Sequence, residues 1–389
     1  NNFYNLIKLK FNKKNLLHYL IFIYLGLLFF ILSILSRLRK TKLNIVSLSG
    51  HKLIGNLETL YNLGHYERNS FFYITFDYKY YKFLISNKKN ILYGLNPLHL
   101  YKYLSSKVII SSHGLLFHRF IKSIFNIKTF YTGHAIKSND HASILKEQLL
   151  FDEVWLYSNF EQDIYLDECN YRGSNLLPIG YPRLDDLHHL FSKKDSIKSD
   201  MNLNNNLILY APTFDRNNKD YKENRFSYNN LNFYKFLDQF GQEYKFKILL
   251  KYHIESKLDP STKEFISLSD SLILVNDKSK YPDIMPLAIS DILITDWSSV
   301  FVDFLSLSKP TVFLDTPRTY TKSGVSKVFD NKSITRVKNY ENLKTQILYS
   351  QKDEFRLSNE QNKLKDDIFE NKYEKNNTER CCERIDKVI

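Results

Sequence analysis

Residues 291–304 read DILITDWSSVFVDF, and the way this run divides decides the fold. Ile292 to Thr295 is a short run of apolar and β-branched residues, the pattern of a parallel strand buried on both faces. Val300 to Leu307 is apolar at most positions and is stopped by Lys309-Pro310, which reads as a buried helix. Between them sits a polar knot, Asp296-Trp297-Ser298-Ser299. A strand running directly into a helix is half of a parallel βα repeat. Two hydroxyls at such a junction suit an anion, because free backbone N–H groups and the helix dipole point there. Helix capping by Ser or Asp is the plainer use of the same residues.

The alternation continues in both directions. TVFLD (311–315) follows, and LILYA (207–211), FKILLKY (246–252) and SLILV (271–275) precede, with helical stretches such as NFYKFLDQF and PDIMPLAIS between. An earlier series contains NIVSLS (44–49), FFYITF (71–76), NILYG (90–94), KVIISS (107–112), TFYTG (129–133), EVWLYS (153–158) and LLPIG (176–180). Leu190 to Asn206 is polar and Asn-rich and predicts a linker. The expected organisation is a hydrophobic N-terminal segment over 1–42, a Rossmann-like domain over 43–195, a second over 206–338 and a charged helical segment over 339–389. Two such domains face each other across a cleft, with ligands at the carboxyl ends of the strands.

The chain has 389 residues, enough for two domains, and a formal net charge of +13 from 55 Lys and Arg against 42 acids. That excess attracts polyanions such as anionic lipid or phosphate-bearing substrates. No zinc finger or RNP-type motif is present, which disfavours nucleic acid. Cys169, Cys381 and Cys382 have no metal-ligand spacing, and no two aspartates form Asp-x-Asp, so neither metal nor cofactor is expected. Oligomeric state is not legible. LLHYLIFIYLGLLFFILSIL (16–35) is just long enough to span a bilayer and is flanked by lysines before it and RLRKTK after it. A membrane anchor is the expectation; a helix lying in the interface or docked on the protein's own body stays open.

Several polar residues fall just after strands: His134 and Lys137 in TFYTGHAIKSND, Thr213 and Arg216 in LILYAPTFDR, Lys251 and His253 in KILLKYHIE, and Asp296, Ser298 and Ser299 in the opening stretch. Together with GYPRLD (180–185) they resemble, in order and spacing, the motifs of the CDP-glycerol glycerophosphotransferase family over about residues 105–320. The family makes teichoic acids and related capsular polymers. The resemblance implies a GT-B fold, two facing Rossmann-like domains, which agrees with the α/β pattern.

Carried over by position, His134 resembles the histidine of a Trp-His-Gly motif, the base. His253 resembles the histidine of a Lys/Arg-x-His-Pro motif near the donor diphosphate. Ser298 and Ser299 match Asp-Tyr-Ser-Ser, the donor-phosphate site, and Thr213 lies in an Ala-Pro-Thr turn; with Lys137, Lys251 and Asp296 they form the expected substrate-binding set. Departures are Gly133 and Ala135 around His134, Ile254 for the proline, Trp297 for Tyr, and Asp215-Arg216 for Arg-Asp. His113, in SSHGLLFH, is a lesser rival to His134, expected to begin a helix. The implied reaction moves a polyol phosphate from a CDP donor to a hydroxyl of a polyprenyl-linked or polymer acceptor, at the cytoplasmic face of the cell membrane. A GT-B glycosyltransferase using a nucleotide sugar and a non-catalytic assembly scaffold are the rival readings.

Overall fold

The computed structural model describes residues 16–37, 44–63, 70–115, 118–133, 135–136, 148–214, 218–253, 256–275, 282–318 and 326–389. Two all-parallel sheets carry the chain. The first contains β1 (Ile45–Ser49), β2 (Ser70–Thr75), β3 (Ile91–Tyr93), β4 (Val108–Ser111), β5 (Lys128–Tyr131), β6 (Glu153–Leu156) and β7 (Leu176–Pro178), in the order β3-β2-β1-β4-β5-β6-β7. The second contains β8 (Asn206–Tyr210), β9 (Phe246–Leu250), β10 (Leu272–Leu274), β11 (Ile292–Thr295), β12 (Thr311–Leu314) and β13 (Arg336–Val337), in the order β10-β9-β8-β11-β12-β13.

Each order reverses once. The first sheet grows from β1 through β2 to β3, then resumes on the other side of β1 with β4; the second does the same between β8 and β11. Such a reversal opens a crevice at the carboxyl ends of the two strands that flank it, because their following segments leave toward opposite faces. All four residues of β11 are buried, as covering by helices on both faces requires. Its register against β8, Ile292 with Ile208 and Ile294 with Tyr210, brings the end of LILYA level with the start of the polar knot.

Residues 190–206 run between the two sheets, but most of them are helical rather than the irregular linker expected from their composition. The Arg183–Ser192 helix is followed by a helix over Lys194–Asp200, and Asn206 already belongs to β8. Only Ile197 of the second helix is buried, so its apolar periodicity is too sparse to see. His113 also departs from expectation: it lies in the turn after β4, and the helix starts at His118.

One hydrophobic cluster runs from the first domain into the second and includes Leu184 and Leu187, Met285, Ala288 and Phe301. The C-terminal helices return to the first domain. The Asn377–Asp386 helix is tied there by Asn377 Nδ2 donating to the Tyr181 carbonyl (3.2 Å), Arg380 Nε to the Ile179 carbonyl (2.8 Å) and Arg384 Nε to Glu153 (2.8 Å).

The hydrophobic N-terminal segment forms a helix, Leu16–Arg37. Leu25, Leu28, Phe29 and Leu32 are buried in the core of the first domain, at the spacing of one helical face. Tyr24 hydroxyl donates to the Leu95 carbonyl at 3.1 Å. Among the described residues no helix is long and apolar enough to cross a membrane.

Candidate active site at the facing strand ends

The second-sheet crevice collects the loop after β8 and the knot after β11. Asp296 is completely buried beneath them. Its carboxylate accepts hydrogen bonds from the backbone N–H groups of Thr213 (2.8 Å) and Trp297 (2.6 Å), from Tyr221 hydroxyl (3.1 Å) and from Thr316 Oγ1 (3.4 Å). Burial pushes the Tyr221 phenol well above its usual range, with Asp296 adding to the shift, so the phenol keeps its proton and acts as donor. The sequence places Asp296 among the substrate contacts; the structure places it underneath, where it pins the two loops that would carry those contacts.

Ser298 and Ser299 are half-buried above it. The Val300–Leu305 helix begins immediately after Ser299, whose side chain makes no capping hydrogen bond. Among the described residues Ser298 Oγ accepts one long contact, 3.5 Å, from the Val300 N–H. Capping therefore engages the two hydroxyls weakly at most. Thr213 Oγ1 is buried and has no hydrogen-bond partner among the described residues; a buried hydroxyl in that state carries a desolvation cost of about 1–3 kcal/mol that a ligand oxygen would remove.

His253 is exposed, and its ring stacks on Phe214 with 5.4 Å between centroids and 19° between planes. That contact brings the end of β9 against the Thr213 loop. Lys251 is held differently: its ammonium donates to the Asp283 carbonyl (2.6 Å) and carboxylate (2.5 Å), so its charge is already engaged. His134, Lys137 and Arg216 lie outside the described residues.

Two arginines at this crevice were not found by sequence reasoning. Arg336 Nη1 donates to the carbonyls of Asp296 (2.9 Å) and Leu314 (3.1 Å), and its guanidinium lies 3.4 Å from the centroid of Trp297. Arg318 approaches the same ring at 4.3 Å. Trp297 Nε1 donates to the Thr316 carbonyl at 2.7 Å. The indole in place of Tyr is thus packed by cation–π contacts with two guanidinium groups. Arg318 follows β12 and was within reach of the strand-end rule; Arg336 sits in a two-residue strand with no periodic signature.

In the first domain the crevice between β1 and β4 brings His51 and His113 together, with 4.0 Å between ring centroids, and Ser112 Oγ lies 2.9 Å from His113 Nδ1. His51 was also missed, because Ser-Gly-His after a strand reads as an ordinary turn. Gly133, beside β5, has φ +59°, and a Cβ there would run into the Tyr181 hydroxyl. This explains why tryptophan is absent from that position. Gly133→Trp is expected to displace Tyr181 and to add strain of about 1–3 kcal/mol from the backbone alone, read as a lowered unfolding midpoint; an unchanged midpoint would mean that the turn relaxes.

The sequence matches the model of the CDP-glycerol:poly(glycerophosphate) glycerophosphotransferase family over residues 28–387. It is 29% identical over 177 residues to a teichoic acid poly(glycerol phosphate) polymerase of Bacillus subtilis, covering 44% of this chain and 22% of that one. It is 27% identical over 224 residues to a teichoic acid glycerol-phosphate transferase of Staphylococcus aureus, covering 56% and 54%. The matched regions therefore span about half or less of these two relatives. The fold resembles that of the wall teichoic acid polymerase TagF, with a TM-score of 0.66 at 18% identity over 92% of each chain. It also resembles a UDP-GlcNAc 2-epimerase from Neisseria meningitidis, TM-score 0.55 at 12% identity over 88% of this chain and 99% of that one. With a family match over nearly its whole length and the corresponding two-domain α/β architecture, this chain belongs to the CDP-glycerol:poly(glycerophosphate) glycerophosphotransferase family.

Proposed function

We propose that the chain transfers a polyol phosphate, glycerol phosphate first among them, from its CDP-activated donor to a hydroxyl of a lipid-linked or polymer acceptor in teichoic acid or capsule-type polymer synthesis. The observation that carries this reading is the Asp296–Ser299 turn, held at the β8/β11 reversal beside the orphaned Thr213 hydroxyl. In the reaction the acceptor oxygen forms a bond to the β-phosphorus, the bond from that phosphorus to the bridging oxygen breaks, and CMP leaves with the bridging oxygen. Phosphoryl transfer of this kind depends on positioning and charge neutralisation rather than on covalent help. Ser298, Ser299, Thr213 and His253 bind the diphosphate, and His134 takes the proton of the attacking hydroxyl, with Lys137 on the acceptor side. No metal enters this scheme. The chain works at the cytoplasmic face of the cell membrane, with the outward apolar side of the Leu16–Arg37 helix and the basic surface meeting anionic lipid.

CMP release from a panel of CDP-polyols and nucleotide sugars tests the reading. CDP-glycerol is expected to be turned over, in excess chelator as well as without it. Ser298→Ala with Ser299→Ala raises the donor dissociation constant about 100-fold or more, since a hydrogen bond to a charged group contributes about 1.5–3 kcal/mol. His134→Ala lowers kcat about 100- to 10,000-fold with donor binding retained. Turnover of a nucleotide sugar alone would replace the reading with a glycosyltransferase; loss of activity on chelation would add a metal.

A further inference from the structure

Asn56 is buried at the start of the Asn56–Leu63 helix and its side chain joins two other segments. Its amide nitrogen donates to the carbonyls of Thr132 (3.0 Å) and Gly133 (3.4 Å), at the carboxyl end of β5, and its amide oxygen accepts the N–H of Arg183 (3.3 Å). Arg183 belongs to GYPRLD and crosses to the other domain. Its Nε and Nη2 donate to Asp303 Oδ1 at 3.2 and 2.9 Å, and Nη2 also donates to the Tyr157 hydroxyl at 2.5 Å. Tyr157 hydroxyl in turn donates to Asp303, as its fully buried, protonated phenol allows. Asp303 sits on the Val300–Leu305 helix, which begins directly after Ser299.

A continuous run of buried hydrogen bonds therefore joins the residue that precedes His134 to the helix that follows the donor-side turn. Stability alone gives little reason for it. The domains already share an apolar cluster, and a buried ion pair is often no better for stability than apolar groups of the same shape. What an ion pair adds is one fixed geometry.

We propose that Asn56, Arg183 and Asp303 are positioning residues for the transfer: they hold the carboxyl end of β5 in one alignment with the Ser298–Ser299 turn across the domain boundary. The inference rests on the transferase reading above. No hydrogen bond joins Asn56 to Asp303 among the described residues; Arg183 joins them.

The test uses the purified full chain carrying Asn56→Ala, Arg183→Lys, Asp303→Asn or the milder Tyr157→Phe. With CDP-glycerol, the first three are expected to lower kcat about 10- to 100-fold, the loss that a misplacement of about 1 Å can cause, with the donor dissociation constant within about threefold of wild type. Asn56→Ala combined with Asp303→Asn loses no more than the worse single variant, since both break one path. A donor constant that rises in step with the loss of kcat, or losses that multiply in the double variant, overturns the proposal. A second readout is independent of the donor. Spin labels on Lys82→Cys and Lys263→Cys, exposed sites on the two domains, give an interdomain distance distribution that broadens in Asp303→Asn and Arg183→Lys. An unchanged distribution also overturns the proposal. Wild-type protein that releases no CMP from CDP-glycerol sinks the transferase reading instead, and the label distances still decide whether these residues hold the domains.

Discussion

Asp296→Ala is expected to destabilise the second domain by about 3–5 kcal/mol, since each buried donor left without its acceptor costs roughly 1–3 kcal/mol. The carboxylate is completely buried and receives four hydrogen bonds. Alanine strands two backbone N–H groups and a phenol that cannot reach water, and it leaves a cavity the size of the lost carboxylate. Asp296→Asn keeps the shape and one carbonyl acceptor, so a smaller loss of about 1–2 kcal/mol is expected, with the Tyr221 hydroxyl turning to accept from the new amide. Denaturant midpoints at constant slope measure both. The opposite pattern, a midpoint like wild type with donor binding abolished, would return Asp296 to the role the sequence assigns it, a direct contact to the donor.

That contrast shows what the sequence can and cannot disclose about this site. The strands from Ile45 to Leu314 are visible as short apolar runs, because parallel strands covered on both faces must be apolar throughout. The positions after them are equally visible, and strand-end reasoning selects Thr213, His253, Ser298 and Ser299 without a structure. What side chains do at those positions depends on partners distant in sequence. Lys251 is engaged by Asp283 and Asp296 by Thr213 and Tyr221, and no local pattern announces either pairing. His51 and His113 meet only because β1 and β4 are neighbours across the reversal. The Lys194–Asp200 helix and β13 escape for a simpler reason: each buries too little to impose a period.

The N-terminal helix is where sequence and structure together support more than either does alone. A mostly apolar stretch of twenty residues, 16–35, reads as a span, yet Leu25, Leu28, Phe29 and Leu32 are packed into the protein's own core. The other side presents Leu20, Phe22, Ile23, Leu27, Phe30, Ile31, Ile34 and Leu35, each 46–60% exposed. A contiguous apolar strip of that extent marks an interaction surface, and a docked helix with lipid on its outer side lies in the membrane plane. Leu27→Glu, Phe30→Glu and Ile31→Glu together are therefore expected to weaken binding to anionic vesicles by about 100-fold or more. Each change removes roughly 1 kcal/mol of apolar burial and sets a carboxylate against lipid of the same sign. The folded body should be unaffected, because none of the three contributes to the core. Phe29→Glu is the contrasting variant: it puts a charge into the packed face and should lower the unfolding midpoint whether or not vesicles are present. If the triple variant still binds vesicles as wild type does, the basic surface of the domains holds the membrane and the strip serves something else. If wild-type protein associates with itself through this strip and ignores vesicles, its occupant is a second copy of the chain rather than lipid.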